Sequence, residues 1–289
     1  MVYRDDRRYI SQLFRVESAV VEAIEDEIAD CPIDWYEPYS EHASPGLKVA
    51  VLMSPEGKET DFSFGDAPDA SVAPLMNSLP ATMEFVAGLG FKVACARLLR
   101  LDPGAFVFEH MDHDNSYCRP GTGRLRLHLP IVTSQDAAVV LPGRRIHLKK
   151  GHLWKLSPSQ TIHAAYNFSR APRLHLMFDC FLNDRLGKFV ENEYLDLDCQ
   201  FELAPLTPPS RQALKEAAGR AIAQGRLRDA ELILLSSFCK YDLGSLSSYD
   251  LLLDFINRTP ALASRRQYWQ DRLQEVYPMQ FSPVTLAVV

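Results

Sequence analysis

Residues 124–132 read RLRLHLPIV, and residues 173–178 read RLHLMF. In an extended strand successive side chains point to opposite faces. Leu125, Leu127, Leu129 and Ile131 therefore share one face of the first segment, and Arg126, His128 and Pro130 the other. The second segment repeats the arrangement, with Arg173 and His175 opposite Leu174, Leu176 and Phe178. In an ordinary sandwich the polar side faces solvent. Inside a barrel it makes a cationic lumen that needs an anionic occupant.

The surroundings favour a β architecture. Short β-type runs at 93–101, 106–112, 125–132, 137–141, 146–148, 153–156 and 174–178 are punctuated by Pro103-Gly104, Pro120-Gly121 and Pro142-Gly143. Such spacing predicts an antiparallel sandwich or barrel. Upstream, Leu13, Val16, Val20, Ile24 and Ile28 predict one amphipathic helix from residue 4 to about 30. A strand at 47–53 and a helix at 82–89 ending at Gly90 follow. After Leu182 the signals are helical: 210–225 behind an N-cap Ser210, then 227–240, a capping box at Ser247 opening a helix to Asn257, and a last helix from Thr259-Pro260 to Pro278. The expected division is residues 1–182, N-terminal helices plus a mainly β catalytic domain, and residues 183–289, a helical region that covers the barrel or forms a dimer contact. Oligomeric state is left open between a monomer and a homodimer joined through the apolar tail 284–289.

Composition narrows the partners. The 289 residues carry 31 Lys+Arg against 37 Asp+Glu, a net charge of −6, and are 47% hydrophobic. A folded body is expected, and nucleic acid or an anionic membrane is excluded as the main partner, because both reward clustered positive charge. No stretch approaches the roughly 18 apolar residues a membrane span needs. The start, MVYRDDRRYI, is charged where a secretory signal turns apolar, so a cytoplasmic protein is expected. Cys31, Cys95, Cys118, Cys180, Cys199 and Cys239 lack paired spacing and read as reduced thiols.

The chemistry sits on the strands. His110 and Asp112, in FVFEHMD, point the same way on one strand. With His163, in QTIHAAYNF, they complete a 2-His-1-carboxylate set, the facial arrangement that holds non-haem Fe(II) and leaves positions open. Arg173, a short turn and a strand later, is placed to fork onto the far carboxylate of a dicarboxylic co-substrate.

The runs HMD, RLRLHLPIV, GHLWKL, HAAYNFS and APRLHLMFD, in that order, resemble the aspartyl/asparaginyl β-hydroxylase branch of the Fe(II)/2-oxoglutarate dioxygenases, and within it the bacterial free-proline cis-hydroxylases. The resemblance spans about 98–179 firmly and the C-terminal helices loosely. It implies a double-stranded β-helix (jelly-roll, cupin-like) core with flanking helices. It further implies that His110, Asp112 and His163 bind iron, that Arg173 holds the distal carboxylate of 2-oxoglutarate, and that Arg126 and His128 lie near its other end. Because Asp112 is kept, halogenation, which needs that carboxylate replaced, is not implied. The charges of Fe(II), Asp112, 2-oxoglutarate, Arg126 and Arg173 leave one positive charge, which a substrate carboxylate neutralises.

The expected activity is therefore hydroxylation of an unactivated C–H of a small amino acid, free or carrier-tethered, with O2 consumed and succinate and CO2 released. Hydroxylation of a peptidyl Asp or Asn, or a non-catalytic metal-binding cupin, are the alternatives. Arg119, in the loop after the iron motif, is the candidate for the substrate carboxylate. Asn167 is a candidate polar wall residue, with turn capping as its other reading. Trp154 reads as a packed strand aromatic, and Arg144, Arg145, Lys149 and Lys150 as a solvated hairpin tip.

Overall fold

The computed structural model describes residues 6–63, 70–112 and 123–277. In chain order the strands are β1 (Ile10–Arg15), β2 (Leu47–Ser54), β3 (Ser71–Val72), β4 (Lys92–Leu101), β5 (Phe106–His110), β6 (Arg124–Val132), β7 (Ala137–Leu141), β8 (Arg144–Ile146), β9 (His152–Leu156), β10 (His163–Asn167), β11 (Arg173–Phe181) and β12 (Gln200–Glu202). The helices are α1 (Ser18–Asp30), α2 (Pro74–Asn77), α3 (Pro80–Leu89), α4 (Asp184–Glu191), α5 (Pro208–Ala223), α6 (Leu227–Leu235), α7 (Ser248–Ile256) and α8 (Arg266–Val276).

Two antiparallel sheets form, ordered β1-β9-β6-β11-β4-β2-β3 and β12-β8-β7-β10-β5. From β4 to β11 the chain passes from the first sheet to the second, back, across for β7 and β8, back for β9, across for β10 and back for β11. This is the winding of a jelly roll. The first sheet has its polarity turned inside out relative to a solvated sandwich. Leu127, Leu129 and Ile131 of β6 and Leu174, Leu176 and Phe178 of β11 join an apolar cluster with Val21, Ile24 and Ile28 of α1 and Val86 and Leu89 of α3. Helices thus cover the apolar face, and Arg126, His128 and Arg173 line a cavity on the other side. The lumen reading holds, and the solvent-face reading does not.

The N-terminal helix is shorter than its periodicity suggests. Residues Ile10–Arg15 form β1, antiparallel to β9 with Ile10 opposite Leu156. Leu13 lies three residues before Val16 and so mimics a helical step, but pairing with a distant strand overrides that local signal. From Ser18 the helix forms as expected, burying Val21, Ile24 and Ile28. Three further strands escaped the pattern: β3, only two residues long, β10, whose HAAYN has little polar alternation, and β12, which adds an edge to the second sheet from within the C-terminal region. The N-cap of α5 is Thr207, whose side chain accepts from Ser210 N, with Pro208 and Pro209 in the first turn. The capping box of Ser247 and Asp250 is present in α7. Pro278 and the tail 284–289 lie outside the described residues.

The C-terminal helices share a core with the barrel. Phe106, Phe108, Ala138, Val140, Ala164 and Tyr166 of the second sheet form one cluster with Leu234 and Leu235, Tyr249, Leu252 and Trp269. Trp269 is fully buried, its ring edge-on to Phe108 at 6.2 Å, and its Nε1 donates to Glu231 Oε1 at 2.7 Å. Beside it Glu109 of β5, fully buried, accepts from Ser248 N at 2.7 Å and Ser248 Oγ at 3.0 Å. Tyr249 Oη donates to Glu109 O at 3.0 Å. The N-terminus of α7 is therefore bonded to the strand that carries His110.

Trp269→Ala should lower stability by ~3–5 kcal/mol, the usual cost of truncating a buried aromatic, read by urea denaturation. Burial pushes the Glu109 carboxyl up to about 7 from 4.5, in spite of the bonds from Ser248. A carboxyl raised on folding binds its proton more tightly in the native state, so its contribution is full below the ordinary carboxylate value and is lost as pH rises through the native one. Wild-type stability should accordingly fall relative to Glu109→Gln between pH 4.5 and about 7. Parallel denaturation profiles for the two proteins would contradict this.

Candidate active site

The metal triad is made by strand pairing. In the antiparallel β5–β10 ladder His110 stands directly opposite His163, their ring centroids 4.2 Å apart. Asp112 follows two residues on, with its Oδ1 3.3 Å from His110 Nε2 and its backbone N donating to Pro158 O at 3.0 Å. One ligand atom from each of His110, Asp112 and His163 lies within 4.8 Å of the others, close enough to share one ion. Both imidazoles are oriented for it. His110 Nδ1 bonds Phe108 O at 2.8 Å, and His163 Nδ1 bonds Thr161 O at 3.2 Å. A carbonyl partner fixes the proton on Nδ1 and leaves the Nε2 lone pair for a metal. Burial, and then the neighbouring His110, push His163 down to about 3, so it is a neutral ligand at physiological pH.

Arg126 lies on the cavity wall and is bonded to two carboxylates of the protein. Its Nη1 donates to Asp112 Oδ2 at 2.7 Å, while Nε and Nη2 fork onto Asp179 Oδ1 and Oδ2 at 3.0 and 3.2 Å. These three of its five N–H donors serve two carboxylates of the protein, so Arg126 holds the outer oxygen of Asp112 while it lines the cavity. Burial works to raise Asp112, but Arg126, His110 and His163 hold it well below the usual carboxylate range. Asp179, fully buried on β11, anchors the arrangement and also meets Arg124 Nη2 at 3.4 Å. The sequence reading passed over it, although alternation puts Asp179 on the same face as Arg173, His175 and Met177.

The same cavity is lined by a second buried arginine, Arg173. Arg173 is 8% exposed, and no carboxylate pairs with it among the described residues. Its guanidinium meets both ring nitrogens of His175 at 3.0 Å. A neutral imidazole has one acceptor nitrogen, so only one of these contacts is a hydrogen bond. Burial lowers Arg173 to about 10, which leaves it charged. His128, 6% exposed beside it, has no partner for either ring nitrogen among the described residues. Burial and then Arg173 hold His128 well below its ordinary value. An orphaned imidazole next to a buried, anion-less guanidinium fits a dianionic co-substrate, because leaving both unsatisfied is costly.

The remaining expectations fall as follows. Asn167 is not a wall residue. Its amide donates to Leu101 O and Ala171 O, both at 2.8 Å, and its Oδ1 accepts from Ser169 N and Oγ, so every bonding position is used in closing the β10–β11 turn. Arg119 and the loop 113–122 lie outside the described residues. Trp154 is fully buried, with Nε1 donating to Lys149 O at 3.2 Å. Lys149 and Lys150 pair with Asp198 and Glu25, Arg144 with Asp6, and Arg145 donates to Tyr166 Oη at 3.3 Å and lies over the Phe201 ring. Residues not anticipated on the cavity wall are Tyr39, His42, Arg97, Arg272, Glu275 and Val276, the last three from α8. No local pattern marks them, because distant packing brings them to the cavity.

The family model for aspartyl/asparaginyl β-hydroxylases matches residues 50–182. That match covers the jelly-roll strands and the His110/Asp112/His163 group, so the barrel is similar to that family. More particularly, the chain is similar to L-proline cis-4-hydroxylase of Rhizobium meliloti (strain 1021), 26% identical over 235 residues that cover 78% of this chain and 82% of that one. It is also similar to L-proline cis-3-hydroxylase 2 of a Streptomyces species, 26% identical over 239 residues, 75% and 77% of the two chains. Among solved structures, HygX from Streptomyces hygroscopicus with nickel and 2-oxoglutarate bound matches at 13% identity and a TM-score of 0.39, over 61% of this chain and 82% of that one. A Pseudomonas putida prolyl-4-hydroxylase matches at 14% and 0.35, over 61% and 94%.

Asp179→Asn removes the carboxylate that fixes Arg126. It should weaken Ni(II) binding about 10- to 100-fold, the usual cost of losing an outer partner of a metal ligand, in a calorimetric titration. Unchanged affinity would show that Asp112 is positioned without it.

Proposed function

We propose that the protein hydroxylates an unactivated C–H of a small amino acid, free or carrier-tethered, with 2-oxoglutarate and O2 as co-substrates. The observation that carries this reading is the pairing, in one cavity, of a His110/Asp112/His163 triad with the buried, anion-less Arg173 and the unsatisfied His128. The cavity volume is about 380 Å³, towards the small end of the roughly 300–1,000 Å³ of small-molecule sites. It suits a dicarboxylate beside a small amino acid better than an extended peptide. The free-proline hydroxylases among the relatives support the same substrate class.

In this reading His110, Asp112 and His163 hold Fe(II), which supplies the oxygen chemistry that couples decarboxylation of 2-oxoglutarate to C–H hydroxylation. Arg173 forks onto the distal carboxylate and His128 bonds the co-substrate towards the metal. The chain's share of catalysis is positioning and exclusion of water. The walls of the barrel, backed by helices on both sides, give that positioning its frame. Arg119 is retained as a candidate for the substrate carboxylate. The five described cysteines are unpaired, which suits a reducing compartment, and the proposed setting is the cytoplasm. No described helix is long and apolar enough to cross a membrane. Nucleic acid has no part in the proposal, and a homodimer through the tail 284–289 remains within it.

Succinate release measured across a panel of free amino acids should rise with one or a few of them and yield a product heavier by one oxygen atom. No stimulation by any of them would overturn the small-amino-acid reading. Arg173→Ala should raise the 2-oxoglutarate requirement about 10- to 150-fold, from loss of a charge-assisted bond. An unchanged requirement would remove Arg173 from the co-substrate site.

A further inference from the structure

We infer that α8 closes the cavity with a subsite for a zwitterion, in which Arg272 takes the carboxylate of the amino acid, Glu275 takes its nitrogen, and His42 orients Arg272. The inference rests on reading the cavity as a free amino-acid site, and it assigns the C-terminal helix a part in substrate choice.

Arg272 and Glu275 lie one turn apart on α8 and line the same cavity as His110 and His163. Arg272 is 8% exposed, donates through Nη1 to Glu275 Oε2 at 2.5 Å, and meets His42 Nδ1 through Nη2 at 2.6 Å. Its Nε has no partner among the described residues. A surface i,i+3 ion pair contributes little and gives no reason to bury its cation against a cavity. A buried guanidinium with a spare donor and an adjacent carboxylate offers opposite charges side by side, as the carboxylate and nitrogen of an α-amino or imino acid do.

The placement of the groups agrees. Arg173, His128, His163, His110, His42 and Arg272 line this one cavity, with His110 opposite His163 and Arg272 against His42. With the co-substrate dianion at Arg173, an amino acid held by its charged atoms at Arg272 and Glu275 presents its side-chain carbons to the metal. Burial, then Arg272 and His110, lower His42, so it is the neutral acceptor that the Nη2 contact requires.

The test is calorimetry on protein loaded with Ni(II) and 2-oxoglutarate. All twenty common L-amino acids are titrated, and the tightest binder is then compared with its carboxamide and with its analogue in which carbon replaces the α-nitrogen. Wild type should prefer the amino acid to each analogue by about tenfold or more, the scale of a charge-assisted hydrogen bond. Arg272→Gln should collapse the preference over the carboxamide and keep that over the nitrogen-free analogue. Glu275→Gln should do the reverse, and Arg272→Lys should restore part of the carboxamide discrimination. A purely structural role would move both ratios together. If Arg272→Gln keeps the wild-type carboxamide ratio, the subsite is wrong while the proposed function stands. If wild type binds 2-oxoglutarate but no free amino acid, the substrate reading and the subsite fall together. Should Arg272→Gln not fold, Glu275→Gln decides alone: an unchanged ratio against the nitrogen-free analogue overturns the pairing.

Discussion

A sheet that turns its apolar face outward must be covered there, and must find partners for the polar groups it encloses. The strands β6 and β11 impose both demands at once. Leu127, Leu129, Leu174 and Leu176 require the blanket of α1 and α3, and the side chains between them place two arginines and two histidines in the interior of the barrel. Burying charge is costly unless it is paired. The interior answers in two ways. Arg126 is satisfied within the protein, by Asp112 and Asp179. Arg173 has no carboxylate partner among the described residues, which is what the proposed co-substrate site uses.

That difference assigns the two ends of the lumen their work. The chain Asp179–Arg126–Asp112 spends a guanidinium on holding a metal-site carboxylate, and the bidentate fork on Asp179 fixes its direction. Asp179 and Arg124, both buried, cancel in the charge count, and Arg173 keeps its charge without a carboxylate beside it among the described residues. The second sheet contributes the ladder that faces His110 to His163, and the C-terminal helices hold that ladder through Glu109, Ser248 and Trp269. The helical region is thereby part of the site's support, and α8 part of its wall.

Period-two alternation made the jelly-roll strands, the triad and Arg173 legible, since each depends on which face of one strand a side chain occupies. The same alternation carried Asp179, in APRLHLMFD, but only the fold shows that it reaches Arg126. Strand β1 was read as helix because its partner β9 lies far along the chain and a local window cannot see it. Asn167 was misread for a related reason: a polar residue after a strand looks alike whether it faces a ligand or caps a turn, and only its four hydrogen bonds decide. Arg272, Glu275 and His42 carried no signal, because distant packing sets them on the cavity wall: that of α8 for the first two, and the bridge of Ala43 to Val107 of β5 for His42.

The central claim is that one lumen holds a metal at His110, Asp112 and His163 and a dicarboxylate at Arg173. Anaerobic titration of the protein with Fe(II) and 2-oxoglutarate tests it most directly. The account predicts one iron per chain and a visible metal-to-ligand charge-transfer band that saturates at one 2-oxoglutarate per iron. Iron-replete protein that shows no such band would contradict it.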